Sequence, residues 1–355
     1  LGRPGLLDSV TSTSHLAALV AEGHRNRWTT HRHTDAVMEP HKGTRPGVPL
    51  VDANFNLLFS RVHRYLRELM QQRGLVRAAA PIDEAFACTS DPTDGPETCE
   101  EPQGFSFVAD LTPHHVLQAP ERAEHEAAQV CESVYLAAAA FGLKLQVTKT
   151  KVMVHFCGAG HMPAKLAFFG RDDLKIYIPA ADSHVDVVRC HRLLGTMVTD
   201  DGSPGVDVIT KVNTAASSTV PLRREVHKRS ELDANDKALL ADAITRTQLT
   251  YNASTWPPLN LAQERLFAHQ YVANYAAAQG ISWKVRKANE ITYVQIVEGV
   301  QRMPHQDFLR LERLRLLVRV IHHGPLHLRR LLGQNWRTDV GWAAAARRDI
   351  SYIRG

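Results

Sequence analysis

From Asp52 onward, Phe55, Leu58, Val62, Leu66 and Leu69 recur at spacings of three and four, while Arg61, Arg64 and Arg67 fall on other faces. That period is helical, because on a strand it would send apolar groups to both faces. The spacing predicts an amphipathic helix over about Asp52 to Gln71, packed by Phe55, Leu58, Val62 and Leu66. Ahead of it, "KGTRPGVPL" carries two glycines and two prolines, which set a tight, exposed turn.

The stretch "GFSFVADLTPHH", residues 104–115, reads as a strand entering a turn, with Asp110 near its tip. Before it, residues 81–103 hold four prolines and seven acids without a period, as a linker or surface insertion would. A second helix is predicted over roughly Glu121 to Phe141, stopped at Gly142. Between Lys144 and Val198, "LQVTKTKVMVHF", "LKIYIP" and "LLGTMVTDDG" have the texture of short strands. Beyond Gly205 the chain reads as helical, with Asp233 an N-cap and a basic helix over Phe308 to Ile321. Arg310, Arg313, Arg315, Arg319, Arg329 and Arg330 make this the densest basic region, able to meet phosphates. A further helix is predicted around Ser14 to Glu22, and His31 and His33 read as part of a solvated strand or loop, since a structural zinc needs two more ligands. The fold class is α+β, a sheet domain followed by a helical one.

At 355 residues and 44% hydrophobic content the chain can bury a substantial core. Its longest nearly uncharged apolar stretch, Ser133 to Leu143, is too short to cross a bilayer, and no charged-then-apolar signal opens it. The expectation is an intracellular protein, cytoplasmic or nuclear, with no membrane partner. Five scattered cysteines without a CxxC pair are expected to be free thiols. A formal net charge of +5 permits phosphate-rich partners without requiring them.

Four segments occur in a telling order: "GTRPGVPLVDANFNLLF" (Gly43 to Phe59), "GLKLQVTKTKVMV" (Gly142 to Val154), "RLLGTMVTDDG" (Arg192 to Gly202) and "QLTYNASTW" (Gln248 to Trp256). Their order and spacing resemble those of non-LTR retrotransposon (LINE-type) reverse transcriptases over about residues 24 to 260. The resemblance implies a reverse-transcriptase palm, a small antiparallel sheet packed on helices, then a helical thumb and a C-terminal helical region. On that reading residues 1–42 are the end of the fingers and palm, 43–204 the palm-like region with the acidic linker 81–103, 205–260 the thumb-like region, and 261–355 a basic helical region. Gly43, Arg45, Pro46, Gly47 and Phe55 resemble the template- and nucleotide-binding motif, where glycine admits close backbone approach and an Arg fork suits phosphate. Lys149 resembles the lysine near the triphosphate that protonates departing pyrophosphate. Leu193, Leu194 and Gly195 resemble the hairpin that grips the primer end by backbone placement. The implied partners are an RNA template, a DNA primer and deoxynucleotides, and the implied cofactor of an active chain is Mg2+ or Mn2+.

Nucleotide addition uses two divalent cations, and these hard ions need several convergent oxygen ligands. The family's aromatic-x-Asp-Asp hairpin can be aligned two ways here. With Phe107 and Val108 in the first two places, Ala109 replaces the first acid and Asp110 is the second; with Val108 and Ala109 there, Asp110 is the first and Leu111 replaces the second. Either way Asp110 is the one remaining metal ligand and catalytic acid of the motif. The upstream carboxylate strand is expected to precede the start of this chain, and Asp8 reads as a helix cap. The resemblance therefore implies an inactive member of the RNA-directed DNA polymerase family; the alternative is a noncatalytic RNA- or DNA-binding module.

Overall fold

The computed structural model describes residues 29–30, 37–38, 49–76, 104–107, 110–117, 119–157, 160–170, 174–324 and 326–354. They form a mixed α+β chain in which helix predominates and the sheets are small. The described residues fall into two compact units, drawn from Leu1–Arg77, Pro102–Thr150 and Ile176–Val185, and from Ala78–Glu101, Lys151–Lys175 and Asp186–Gly355. The helix expected at Ser14 to Glu22, His31, His33 and the turn Gly43 to Gly47 lie outside the described residues. Two short strands, β1 (Thr29–Thr30) and β2 (Val37–Met38), pair antiparallel.

In the first unit, helix α1 (Pro49–Gln72) brackets the predicted span. Its Val62, Leu66 and Met70 are buried against Val134 and Ala137 of α2 (Ala123–Ala140). The expected sheet cover is thus largely a helix, which the small Ala137 and Ala138 let approach closely. The hairpin of β3 (Gly104–Phe107) and β4 (Asp110–Pro113) pairs Phe107 with Asp110 and adds Leu111 to the same cluster. Beyond the hairpin, His115 Nε2 lies 2.8 Å from the fully buried carboxylate of Glu126 on α2. Gly142, at φ 74, ends α2 as predicted: its N–H donates to Ala139 O and that of Leu143 to Ala138 O.

The strand expected in "LQVTKTKVMVHF" shrinks to β5 (Lys151–Val152), after a 3-10 turn at Val147–Lys149. Thr150 explains the turn: its N–H and its hydroxyl both donate to Gln146 O, a local alternative to sheet pairing. Helix α3 (His161–Phe169), β6 (Lys175–Ile178) and β7 (Ser183–Val187) follow. Lys151 and Val152 pair in parallel with Asp186 and Val187 of β7, and Lys151 Nζ binds the Asp186 carboxylate at 2.5 Å. Next comes an antiparallel hairpin, β8 (Cys190–Leu193) and β9 (Thr196–Thr199).

From there the second unit is helical. It comprises α4 (Gly205–Glu225), α5 (Ala234–Ala241), a π-helical turn at Asp242–Arg246, and α6 (Thr247–Thr250). These lead to α7 (Leu261–Ala278), α8 (Trp283–Ala288), α9 (Tyr293–Glu298), α10 (His305–His323), α11 (Leu326–Trp336) and α12 (Gly341–Arg354). Asp233 caps α5 as predicted, accepting from the Asp236 N–H. One apolar cluster runs from Val208 and Val212 on α4 through Phe267, Tyr271 and Tyr275 on α7 to Leu309 on α10, so the helices on either side of residue 260 share a core. Within it the buried Asp242 accepts from Tyr275 Oη at 2.5 Å and from Arg302 Nε at 2.6 Å.

Of the six arginines expected to meet phosphates, Arg310, Arg313 and Arg329 are committed within the fold, and the side chain of Arg330 lies outside those described. Leu309, Arg313 and Leu317 follow one another every four residues on α10, so Arg313 shares the buried face of its apolar neighbours. Asp349 of α12 neutralises it there. Arg310 bonds Asp307 at 2.8 Å and lies 3.9 Å from the Tyr352 ring centroid, and Arg329 is buried. Arg315 and Arg319 are exposed, Arg315 beside Glu312. Because removing one partner strands a buried charge, Asp349→Ala should destabilise the chain by about 3–5 kcal/mol. Arg315→Ala should cost less than about 1 kcal/mol. Urea denaturation of both variants checks this, and equal losses would contradict it.

Candidate functional site

The pairing of Leu193 with Thr196 leaves Leu194 and Gly195 as a two-residue turn, with φ 47 and 82. Two successive left-handed residues match the twist of the strands on either side, and Asn-Gly adopts this turn at least cost. Leucine in the left-handed region costs roughly 1–2 kcal/mol. Gly195 is required on two grounds, since a Cβ there would also come within 3.2 Å of the Tyr251 ring. The turn therefore exposes an apolar side chain at a position where local preference disfavours it.

Residues distant in sequence hold the turn in place. Lys211 Nζ donates to Gly195 O at 2.7 Å, and Tyr251 Oη to Leu194 O at 3.1 Å. Asn252, itself at φ 60, donates from Nδ2 to Thr196 Oγ1 at 2.7 Å. Beneath these bonds lies Asp207, in the first turn of α4 and 1% exposed. Its Oδ1 accepts the Met197 N–H at 2.8 Å and its Oδ2 the Trp256 indole N–H at 2.9 Å. The carboxylate thus links hairpin, helix and the segment after α6. Lys211 follows one helical turn later, with Nζ 4.5 Å from the Tyr251 ring centroid. Burial lowers the pKa of Lys211, nearby Asp207 raises it and Arg192 lowers it further.

The outer surface of this assembly mixes apolar and cationic groups. Leu194, Tyr251 and Arg192 are exposed. Arg189 is also largely open, although its Nε reaches the buried Asp200 carboxylate at 3.3 Å, where Lys165 Nζ binds at 2.8 Å. Such a surface offers an apolar contact beside guanidinium groups that can pair with an anion.

The sequence-predicted residues divide into three groups. Leu193, Leu194 and Gly195 form the hairpin end just described. Asp110 opens β4 opposite Phe107, with Val108 and Ala109 outside the described residues, and Lys149 is an exposed residue of the 3-10 turn. Gly43, Arg45, Pro46 and Gly47 lie outside the described residues; Phe55 is on α1, and its side chain is not among those described. Sequence reading missed Asp207 and Lys211. The signal was present in "VDVITKV", where an acid and a base four residues apart interrupt an apolar run.

Two of the four segments singled out in the sequence, Arg192 to Gly202 and Gln248 to Trp256, meet at this site directly through Tyr251 and Asn252, and by way of Asp207, which accepts from both Met197 and Trp256. Compared with known proteins, the chain matches no family model, no curated protein and no solved structure at a significant level. Among the described residues no group of three or more His, Cys, Asp or Glu stands where it could hold a metal ion, and no helix is long and apolar enough to cross a membrane. Beside Asp110 the chain offers Ala109 and Leu111, which carry no side-chain oxygen, and Leu111 packs, partly buried, against the core. That donor set does not fit a pair of divalent cations.

If the turn is strained to present Leu194, Leu194→Asn should raise stability by about 1 kcal/mol, whereas Gly195→Ala should lower it by about as much or more. Thermal melts of both variants check this; no gain from Leu194→Asn would mean that the turn carries no strain.

Proposed function

We propose that this chain is a reverse-transcriptase-like protein of retrotransposon origin that binds an RNA–DNA duplex without extending it. The observation that supports this best is the braced Leu194–Gly195 turn, in which two resemblance segments far apart in sequence meet around an exposed apolar tip. A rigid tip of this kind suits a surface that positions a primer end by backbone shape, with Arg192 and Arg189 available to phosphates. Rigidity matters because a loose loop would lose the binding energy to ordering.

The chemistry around Asp110 argues against catalysis. The alignment that keeps Phe107 leaves Ala109 where an acid is needed, and the other would require a ligand at Leu111, whose partly buried side chain packs against the core. Asp110 alone cannot supply the convergent oxygens that two hard cations require.

Binding should be electrostatic in part, so the affinity for a labelled RNA–DNA duplex should fall steeply with salt. Arg192→Ala should weaken it roughly uniformly across sequences and reduce the salt slope by about one contact. Fluorescence anisotropy across a salt series checks both points. Primer extension with magnesium or manganese should give no product. Absence of salt-dependent duplex binding would overturn the proposal, and extension that Asp110→Ala abolishes would overturn its noncatalytic part.

A further inference from the structure

A second surface of the helical unit, separate from the hairpin, has the chemistry of a stacking site. Residues 281–297 contain Lys284, Arg286 and Lys287 against one acid, Glu290. Among them Trp283 is 68% exposed, so its indole contributes little to the core. The surroundings of that ring are ordered. Arg286 places its guanidinium carbon 5.6 Å from the Trp283 centroid and 4.1 Å from that of Tyr293, and its Nε donates to Ile291 O at 3.1 Å. Ser282 caps α8 by accepting the Val285 N–H, and the Thr292–Gln295 capping box fixes the start of α9. Behind them, Ile296 and Val297 anchor α9 in the core. The fold thus sets an exposed indole beside a cation bonded to Ile291 O, with two exposed lysines on the same short helix.

We propose that Trp283, with Lys284 and Lys287, is a docking site for single-stranded nucleic acid, in which one base stacks on the indole and the flanking phosphates meet the two ammonium groups. Every base has a π-face, so recognition is sequence-tolerant, and the local excess of cations complements the phosphate chain. Arg286, bonded to Ile291 O and close to the Tyr293 ring, adds a third cation beside the indole. The site stands on its own observations and does not depend on the reverse-transcriptase reading.

The test uses the full chain and labelled oligo(dT) and oligo(U) of about a dozen nucleotides. Wild type should bind both, with quenching of tryptophan emission. Trp283→Ala should weaken binding on the order of ten- to a hundredfold, while Trp283→Phe keeps most of the affinity and loses the quenching. The Lys284→Ala, Lys287→Ala double variant should flatten the salt dependence by about 0.7 per lysine on a log–log plot. Since these side chains are exposed, melts of the variants should match wild type. Affinity unchanged by Trp283→Ala would overturn the proposal. So would binding to poly-glutamate or to anionic vesicles as tight as to the oligonucleotides. RNA–DNA duplex binding through the hairpin is read separately with Arg192→Ala, so failure of one proposal does not count against the other.

Discussion

The buried carboxylate of Asp207 is the interaction on which the helical unit's exposed hairpin depends. Taking a carboxylate out of water is costly unless its oxygens are satisfied, and here each accepts one N–H, from Met197 and from Trp256, with Lys211 one helical turn away. Because one bond reaches the hairpin backbone and the other an indole in the core, the pair fixes the position of β9 against α4. The strained left-handed Leu194 can persist only on such a support, where Lys211 and Tyr251 hold its turn by their bonds to the two carbonyls.

This arrangement also sorts the chain's positive charge by role. Arg313 and Arg302 are held by Asp349 and Asp242 inside the helical unit, where they join helices rather than face a ligand. Among the cations that remain open, Arg192, Lys284 and Lys287 lie near an exposed apolar or aromatic side chain in the sequence, Leu194 in one case and Trp283 in the other. A modest net charge of +5 therefore conceals a more uneven distribution, with neutralised interior pairs and small cationic patches on the surface.

Much of the local structure was legible in the sequence because it follows from nearest-neighbour chemistry. The 3–4 spacing predicted α1, Gly142 marked the end of α2 and Asp233 capped α5, whereas the hairpin at Leu193 to Gly195 was expected from the family resemblance and not from its own turn chemistry. What failed to show was decided by partners far along the chain. Arg313 reads as a surface arginine until Asp349 arrives 36 residues later, and Asp207 as an ordinary helix-start acid until Trp256 reaches it from 49 residues away. The short strand at Lys151 had a local cause that β-branched texture masked, since the Thr150 hydroxyl competes with sheet pairing. The hairpin containing Asp110 was visible from its own residues, whereas the absence of an acid on either side of Asp110 is a fact of sequence alone.

The measurement that bears most directly on this account is hydrogen–deuterium exchange across residues 193–199 in Asp207→Ala, combined with RNA–DNA duplex affinity of the same protein. Losing the acceptor of the Met197 N–H should speed exchange in the hairpin while α7 remains protected, and duplex affinity should fall together with that protection. A hairpin that exchanges as slowly as in wild type would show that Asp207 does not hold it; a loosened hairpin with undiminished duplex affinity would show that the tip is not the binding surface.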